Sequence, residues 1–232
     1  MSKSIRLNQQ HAKTDAELLN ALHASAKKYS MFADNKLLYI YRANTKNAPY
    51  KCYEVFFGRD NFIHLVGFKR DKINATQFFE KCNSQTIQLH EATFKENRKA
   101  ASAKLEAIEQ LLDYRHVKIY KIGNADLIKE KNKFEVGLGN ASGIIGFDRR
   151  KPLPALPIPV TVMKRPITDY ASTPENVLAI LMKEKTAGYY NIVLGCVAKG
   201  LPTDELPEDI RSRLAPNLFP IIRNPKQSQF CC

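Results

Sequence analysis

The chain has 232 residues, 44% of them hydrophobic, which is enough apolar material for one sizeable core. Its apolar runs are shorter than the roughly 18 residues that span a bilayer, and the first residues lack the apolar run of a secretory signal. The 36 basic and 23 acidic residues leave a net charge of +13, which favours nucleic acid over a membrane surface as the partner.

The five cysteines indicate neither a disulfide framework nor a zinc site. Their number is odd, their spacing is wide, and the sequence has no Cys-x-x-Cys pair. This use of cysteine is typical of a cytoplasmic protein. The sequence also lacks the GxxxxGK[ST] loop, the HExxH motif and a carboxylate cluster for a two-metal nuclease, so we expect no metal and no cofactor.

The first part of the chain predicts a helix followed by three strands. Thr14 and Glu17 form a capping box in front of an amphipathic run, which predicts that a helix begins there. Residues 35–42 and 51–57 are rich in β-forming residues. Residues 62–68, FIHLVGF, look like a third strand, joined to the second by a Gly-Arg-Asp-Asn hairpin turn.

Two further helices are predicted before the middle of the chain. Asn74 with Gln77 is expected to cap a short helix that carries two phenylalanines. Thr93 and Glu96 repeat the capping-box pattern, and the apolar stripe behind them predicts a long helix over 93–113.

The second half is predicted to be mostly β-structure. A Thr-Pro-Glu start predicts a last major helix that ends at Gly188. The other expected elements are strands at 117–122, 134–138, 143–148, 160–163 and 189–197 and a short polar helix at 205–214. We expect a single α+β domain over 14–223, with an N-terminal arm (1–13) and a mobile tail (224–232).

His64 is the main catalytic candidate. Alternation along the expected strand 62–68 places it on one face with Phe62, Val66 and Phe68. Because imidazole titrates near neutral pH, it can act as a general acid or base. The alternative is a buried histidine that makes one hydrogen bond inside the core.

Cationic and phenolic side chains near this strand are candidates for binding a phosphate. They are Lys69 and Arg70 beside His64, and Tyr41, Arg42, Lys51, Tyr53 and Arg59 elsewhere on the expected sheet or its turn. A second basic cluster, Arg149, Arg150 and Lys151, suits contacts with a nucleic-acid backbone. The alternative for each is a solvated cation or a tyrosine that packs on the sheet.

Residues 37–89 carry a family resemblance. The run YIYRANTKNAPYKCYEVFFGRDNFIHLVGFKRDKINATQFFEKCNSQTI contains a Phe-x-His-Leu-x-Gly element, then a basic dipeptide and a helix with two phenylalanines. It resembles the phage Barnase–EndoU–Colicin–RelE-like nuclease domains, most closely their fourth group. The resemblance extends over about 14–197.

The resemblance implies a ribonuclease-like α+β fold, with N-terminal helices packed on a curved antiparallel sheet. It implies metal-independent RNA cleavage, in which the neighbouring 2′-hydroxyl attacks the phosphate while side chains act as acid and base. His64 carries over as a catalytic residue, followed by Lys69 and Arg70 through adjacency. No second acid or base is evident, although Glu54, Tyr53 and Tyr50 are possible.

Such domains occur in phages, prophages and mobile elements of low-GC bacteria, which implies action in the cytoplasm of a bacterial host cell. Three hypotheses therefore remain open. The first is a ribonuclease that acts as a toxin or phage effector, with RNA as substrate and an inhibitor or defence-system protein as a possible partner. The second is a catalytically inert counter-defence protein that binds nucleic acid or protein. The third is an interaction protein whose charge is incidental.

Overall fold

The computed structural model describes residues 13–45, 47–125, 134–149 and 155–225. The α-helices are α1 (Asp15–Ser30), α2 (Phe62–Leu65), α3 (Ala75–Asn83), α4 (Arg98–Leu111), α5 (Glu208–Arg211) and α6 (Leu218–Arg223). The strands are β1 (Asn35–Arg42), β2 (Lys51–Phe57), β3 (Phe68–Lys69), β4 (Thr93–Phe94), β5 (Lys121–Asn124), β6 (Val136–Gly139), β7 (Ile144–Asp148), β8 (Ile158–Met163), β9 (Glu175–Glu184) and β10 (Ile192–Cys196). None of these helices is long and apolar enough to cross a membrane.

The main sheet is antiparallel throughout and has the strand order β2-β1-β9-β5-β6-β7-β8, with β10 paired to β9. The two short strands β3 and β4 form a separate ribbon. The predicted α+β class, with helices packed on a curved antiparallel sheet, is therefore confirmed.

The main sheet curls into a half-barrel whose two outer strands approach each other. The backbone N–H of Phe56 in β2 donates to the carbonyl of Pro157, just before β8, at 2.9 Å. Inside the curl, the ring centroid of Phe147 on β7 lies 6.1 Å from that of Tyr39 and 6.0 Å from that of Phe57. Aromatic side chains from distant strands thus meet on the concave face, and their burial stabilises the curl.

Each face of the half-barrel has its own core. On the concave side, helices α1, α3 and α4 contribute fully buried residues such as Leu22, Phe78 and Ile108. On the convex side, Ile40 packs with Leu218 and other apolar residues of the C-terminal segment. Both faces of the central strands are therefore covered by apolar side chains.

Two predicted helix starts are confirmed. The Thr14 hydroxyl accepts a hydrogen bond from the Glu17 N–H at 3.3 Å, and the Glu17 carboxylate accepts one from the Thr14 N–H at 2.7 Å. Asn74 and Gln77 form the same reciprocal pair at the start of α3. These caps satisfy backbone donors that have no partner in the first turn of a helix.

The predicted start of the long helix is wrong by five residues. The helix α4 begins at Arg98, because the side chain of Asn97 accepts the Ala100 N–H at 2.9 Å. Thr93 instead pairs with Lys69 in the short ribbon of β3 and β4. A second capping residue close downstream therefore replaced the one that the spacing predicts.

The predicted helix over 173–188 is wrong, since most of this segment is the central strand β9. Val177, Ile180 and Met182 face the concave core, whereas Ala179 and Leu181 face the convex core. A strand that is buried on both faces has a continuous apolar run, and periodicity cannot distinguish such a run from a helix.

The predicted strand over 62–68 is also wrong. After a 3₁₀ turn at Arg59–Asn61, the chain forms the short helix α2, and β3 begins only at Phe68. The Asn61 side chain closes the turn by accepting the Gly58 N–H at 3.0 Å. Phe62, Ile63, Leu65 and Val66 are all buried, so this segment is apolar on every side and does not alternate.

Smaller differences affect the other elements. Residues Tyr114–Ile119 form a 3₁₀ helix, so the strand expected at 117–122 begins only at Lys121, as β5, and continues to Asn124. The polar helix expected at 205–214 is reduced to α5, after a 3₁₀ turn at Thr203–Glu205. The strands expected at 134–138, 143–148, 160–163 and 189–197 are confirmed with shifted ends as β6, β7, β8 and β10. Most of the arm 1–13 and the tail 224–232 lies outside the described residues.

Candidate active site

The open end of the half-barrel holds a polar cavity of about 590 Å³. The last residues of β1 and β5 and the first residues of β2, β6 and β9 meet there, because antiparallel neighbours bring opposite chain ends together. We call this space the mouth cavity; the polar residues that line it include Tyr41, Lys51, Tyr53, Asn124, Thr173 and Glu175.

An ion pair stands at the rim of the mouth cavity. The Lys51 ammonium donates to both carboxylate oxygens of Glu175, at 3.1 and 3.2 Å. The two side chains reach across the end of β1, since β2 and β9 are its two neighbours in the sheet. The Glu175 side chain is 20% exposed and that of Lys51 is 50% exposed, so solvent reaches both groups.

The Tyr53 hydroxyl is a buried polar group at the wall of the mouth cavity. Its oxygen is buried and has no hydrogen-bond partner among the described residues. Burial raises the pKa of Tyr53, Glu135 adds to the rise, and Arg149 opposes it. The hydroxyl therefore stays protonated at neutral pH, and it can donate a hydrogen bond to a bound group.

Tyr41 supplies a second phenol beside this one. Burial raises the pKa of Tyr41, and the nearby Glu175 carboxylate raises it further. Tyr41, the Glu175 carboxylate and the Lys51 ammonium thus line one solvent-accessible space, and the Tyr53 hydroxyl is buried at its wall. These are the types of groups that can accept and donate protons and stabilise an oxyanion.

Of the second basic cluster, Arg149 is exposed directly after β7 and acts electrostatically on Tyr53. On β7, Ile145 and Phe147 face the concave core, so strand alternation continues that face to Arg149. Arg150 and Lys151 lie outside the described residues.

The residues predicted around His64 lie away from the mouth cavity. The strand β2 begins at the mouth with Lys51, and α2 follows beyond its other end, about 20 Å along a seven-residue strand. His64 is half-buried in α2, which packs against α3, β3 and β8. Lys69 is exposed on β3 and lies opposite Thr93.

The arginines at that end already have acidic partners. Arg59 pairs with Asp34 at 2.7 Å and with Glu80 at 3.5 Å. Arg70 pairs with Asp60 at 3.5 Å. The structure therefore brings together the predicted binding residues Tyr41, Lys51 and Tyr53, and it separates them from His64 and its neighbours.

Sequence reasoning missed Glu175, Asn124 and Thr173. The predicted helix over 173–188 has Glu175 in its first turn, where an acidic residue is ordinary. One sequence feature indicates its true position. The apolar run that follows Glu175 fits a strand buried on both faces as well as it fits a helix. Among the described residues no group of three or more His, Cys, Asp or Glu side chains is placed to hold a metal ion.

A curled antiparallel half-barrel with helices in its concave face and a polar open end is consistent with the α+β class of nucleases. The family model described as phage-Barnase-EndoU-ColicinE5/D-RelE like nuclease4 matches residues 21–193, and the chain belongs to this family. The resemblance found in the sequence is thereby confirmed. No curated protein and no solved structure matches the chain.

Proposed function

We propose that the protein is a metal-independent ribonuclease whose reaction takes place in the mouth cavity. The observation that carries the proposal is the meeting of the Lys51–Glu175 pair and Tyr41 in one open cavity, with the unpartnered Tyr53 hydroxyl buried at its wall. Family membership supports a nucleic acid as substrate. The net charge of +13 supports the same class of polyanion.

In this mechanism the Glu175 carboxylate takes the proton of the ribose 2′-hydroxyl. The 2′-oxygen attacks the adjacent phosphorus, the bond to the 5′-oxygen breaks, and a phenol of Tyr53 or Tyr41 protonates the leaving oxygen. The products are a 2′,3′-cyclic phosphate and a 5′-hydroxyl. Lys51 and Arg149 stabilise the negative charge that develops on the phosphoryl oxygens.

The centre predicted from the sequence, with His64, Lys69 and Arg70, is the competing proposal for the same reaction. It has a titratable imidazole. Against it, Arg70 and Arg59 are already ion-paired, and none of these residues lines the mouth cavity. The two proposals predict opposite results for two substitutions.

The test is cleavage of a labelled RNA by the purified protein in EDTA. Glu175→Gln is expected to reduce the rate by about 10²-fold or more, because it removes the base and preserves the shape of the side chain. Glu184→Gln, at the far end of the same strand and exposed, is the matched control. If the His64→Ala variant cleaves slowly and the Glu175→Gln variant is fully active, the result would contradict the proposal and place the active site at α2.

Wild-type protein that binds RNA and does not cut it would instead support the second candidate, a catalytically inert binding protein of the same fold. If the wild-type protein neither binds nor cleaves RNA, the remaining hypothesis is an interaction protein whose charge is incidental. The salt dependence of binding reports the phosphate contacts directly, since each contact releases counterions.

We also infer that the protein comes from a phage or mobile element and acts as a toxin in the cytoplasm of a bacterial host. Induced expression in bacterial cells tests this inference. Growth arrest by the wild type and normal growth with Glu175→Gln are expected for a toxin, provided that both proteins accumulate equally. Equal growth of the two strains would argue against a toxin.

A further inference from the structure

A second cavity, of about 610 Å³, lies beyond the same end of β1 but on the convex side of the sheet. The residues that line it include Arg42, Tyr50, Lys118, Leu178, Lys199 and Glu205. We infer that this outer cavity is a second binding site for the RNA chain, which holds nucleotides next to those in the mouth cavity. The inference rests on the proposed function and concerns how the substrate is held.

The two cavities share the rim formed by the end of β1. Tyr41 lines the mouth cavity and the next residue, Arg42, lines the outer cavity, since successive strand residues point to opposite faces. The 3₁₀ helix that carries Lys118 continues directly into β5, whose residues Ile122 to Asn124 line the mouth. An RNA chain that leaves the mouth across this rim therefore enters the outer cavity.

The charge of the outer cavity suits a phosphodiester chain. Three cations line it, Arg42, Lys118 and Lys199, against the carboxylate of Glu205. Both lysines are exposed, and within the described ranges neither forms a salt bridge. Leu178 and Val197 add apolar wall, which favours a nucleotide over a free inorganic anion.

The side chain of Arg42 is held in place. Its guanidinium donates to the Tyr50 hydroxyl at 3.2 Å, and its central carbon lies 4.9 Å from the centroid of that ring. Tyr50 itself is only 8% exposed. A cation whose rotamer is already fixed loses little conformational entropy when a phosphate binds.

The loop that carries Lys199 is equally ordered. The N–H of Val197 donates to the carbonyl of Leu178, and the N–H of Gly200 donates to that of Val197, each at 2.8 Å. Gly200 has a φ of +71°, and a Cβ added there would lie 1.9 Å from the carbonyl oxygen of Arg223. The turn therefore requires glycine, and the packed C-terminal segment fixes the backbone next to Lys199.

The experiment uses the full chain with Lys118→Ala and Lys199→Ala combined. The probe is a 2′-O-methyl RNA of about 12 nucleotides, which binds single-strand sites of this kind without being cleaved. We expect its Kd to rise about tenfold and the slope of log K against log salt to fall by roughly 1.4, the value for two lost contacts with a single strand. Lys27→Ala with Lys99→Ala is the matched control, because both of these lysines are exposed and lie in α1 and α4.

Cleavage provides a second readout. For a cleavable 12-mer the loss is expected in KM, and the kcat/KM ratio of the 12-mer to a dinucleotide should fall about tenfold. Equal affinity and equal ratios for the double variant and its control, in a protein that binds and cuts RNA, would overturn the inference and leave the proposed function intact. Wild-type protein that neither binds nor cuts RNA would overturn both.

Discussion

The Lys51 ammonium and the Glu175 carboxylate lie 3.1 Å apart at the open end of the half-barrel, although 124 positions separate the two residues in the chain. Lys51 begins β2 and Glu175 begins β9, and β1 lies between these strands. The pair exists because two strand pairings are in register at the same end of the sheet. The candidate active site is therefore a property of the strand register.

Removal of the Tyr53 hydroxyl is predicted to affect activity and stability differently. Tyr53→Phe is expected to reduce RNA cleavage about 10-fold to 10²-fold, because a hydrogen-bond donor to the substrate is lost. Its stability should be unchanged or slightly higher, since the hydroxyl is buried without a partner in the described structure. Cleavage rates and urea unfolding measure the two effects.

Tyr29→Phe is the control for that variant. The Tyr29 hydroxyl is buried and donates to the carbonyl of Gly58 at 2.8 Å, away from the mouth cavity. Its loss should cost about 1–3 kcal/mol of stability and leave cleavage at the wild-type rate. Full activity of Tyr53→Phe would contradict the role of that phenol in the reaction.

Phe147 tests how the half-barrel is held together. The side chain is fully buried and contacts the rings of Tyr39, Tyr53 and Phe57 from across the sheet. Phe147→Ala is therefore expected to lower the free energy of unfolding by about 3–5 kcal/mol. Ile192→Ala, at a 39% exposed position, should change it by less than about 1 kcal/mol. Similar losses in the two variants would show that the cross-barrel contacts are unimportant.

Asp113 predicts a pH effect on stability. The hydrogen bonds from the Arg115 side chain lower the pKa of Asp113 from its ordinary value of 3.8 to about 2, against the opposing effect of burial. Because the folded-state pKa is lowered, the stabilisation is present above pH 4 and is lost as the pH falls toward 2. Asp113→Asn should therefore lose less stability than the wild type between pH 4 and pH 2.

The size of that effect at pH 7 is expected to stay below about 1 kcal/mol, because the Arg115 partner is exposed and solvent screens the pair. Melting temperatures recorded from pH 7 to pH 2 provide the measurement. Arg115→Ala should flatten the acid limb in the same way. An acid limb that is identical in all three proteins would exclude this pair as its source.

Gly200 and Gly188 form a matched pair of glycine substitutions. Gly200→Ala places a Cβ against the Arg223 carbonyl at positive φ and should destabilise the protein by about 1–3 kcal/mol or more. At Gly188 an added Cβ meets nothing within 4 Å and φ is outside the left-handed region, so Gly188→Ala should stay within about 1 kcal/mol of wild type. Thermal unfolding of the two variants provides the measurement. Equal melting temperatures for Gly200→Ala and Gly188→Ala would contradict the close contact at Gly200.

Several parts of the fold could be predicted because their causes are local. The capping boxes of α1 and α3 involve residues three positions apart, so the sequence contains the whole interaction. The strands β1 and β2 carry dense β-forming residues between clear breaks. The sequence wrongly predicts a helix at β9 and a strand at α2. Segments that are buried on all sides show no periodicity that distinguishes a helix from a strand.

The candidate site was predicted in part for a related reason. Tyr41, Lys51 and Tyr53 lie on two consecutive strands, so their proximity follows from a hairpin-like pairing that the sequence suggests. Glu175 comes from a segment more than a hundred residues away, and its place depends on the identity of β9 as a strand. The apolar neighbours that make His64 a candidate in the sequence are core residues of α2 and the residue that follows it.

The amino-acid sequence by itself determined the positive charge, the capped helices, the first two strands and the membership of a nuclease family. The tertiary structure alone decided which polar groups meet, because the mouth cavity is made by the ends of strands that pair across long stretches of chain. Short-range interactions act within a few residues and leave a signature in the sequence. The juxtaposition of Lys51 and Glu175 depends on sheet order and register, which are set by the burial of both faces of the sheet.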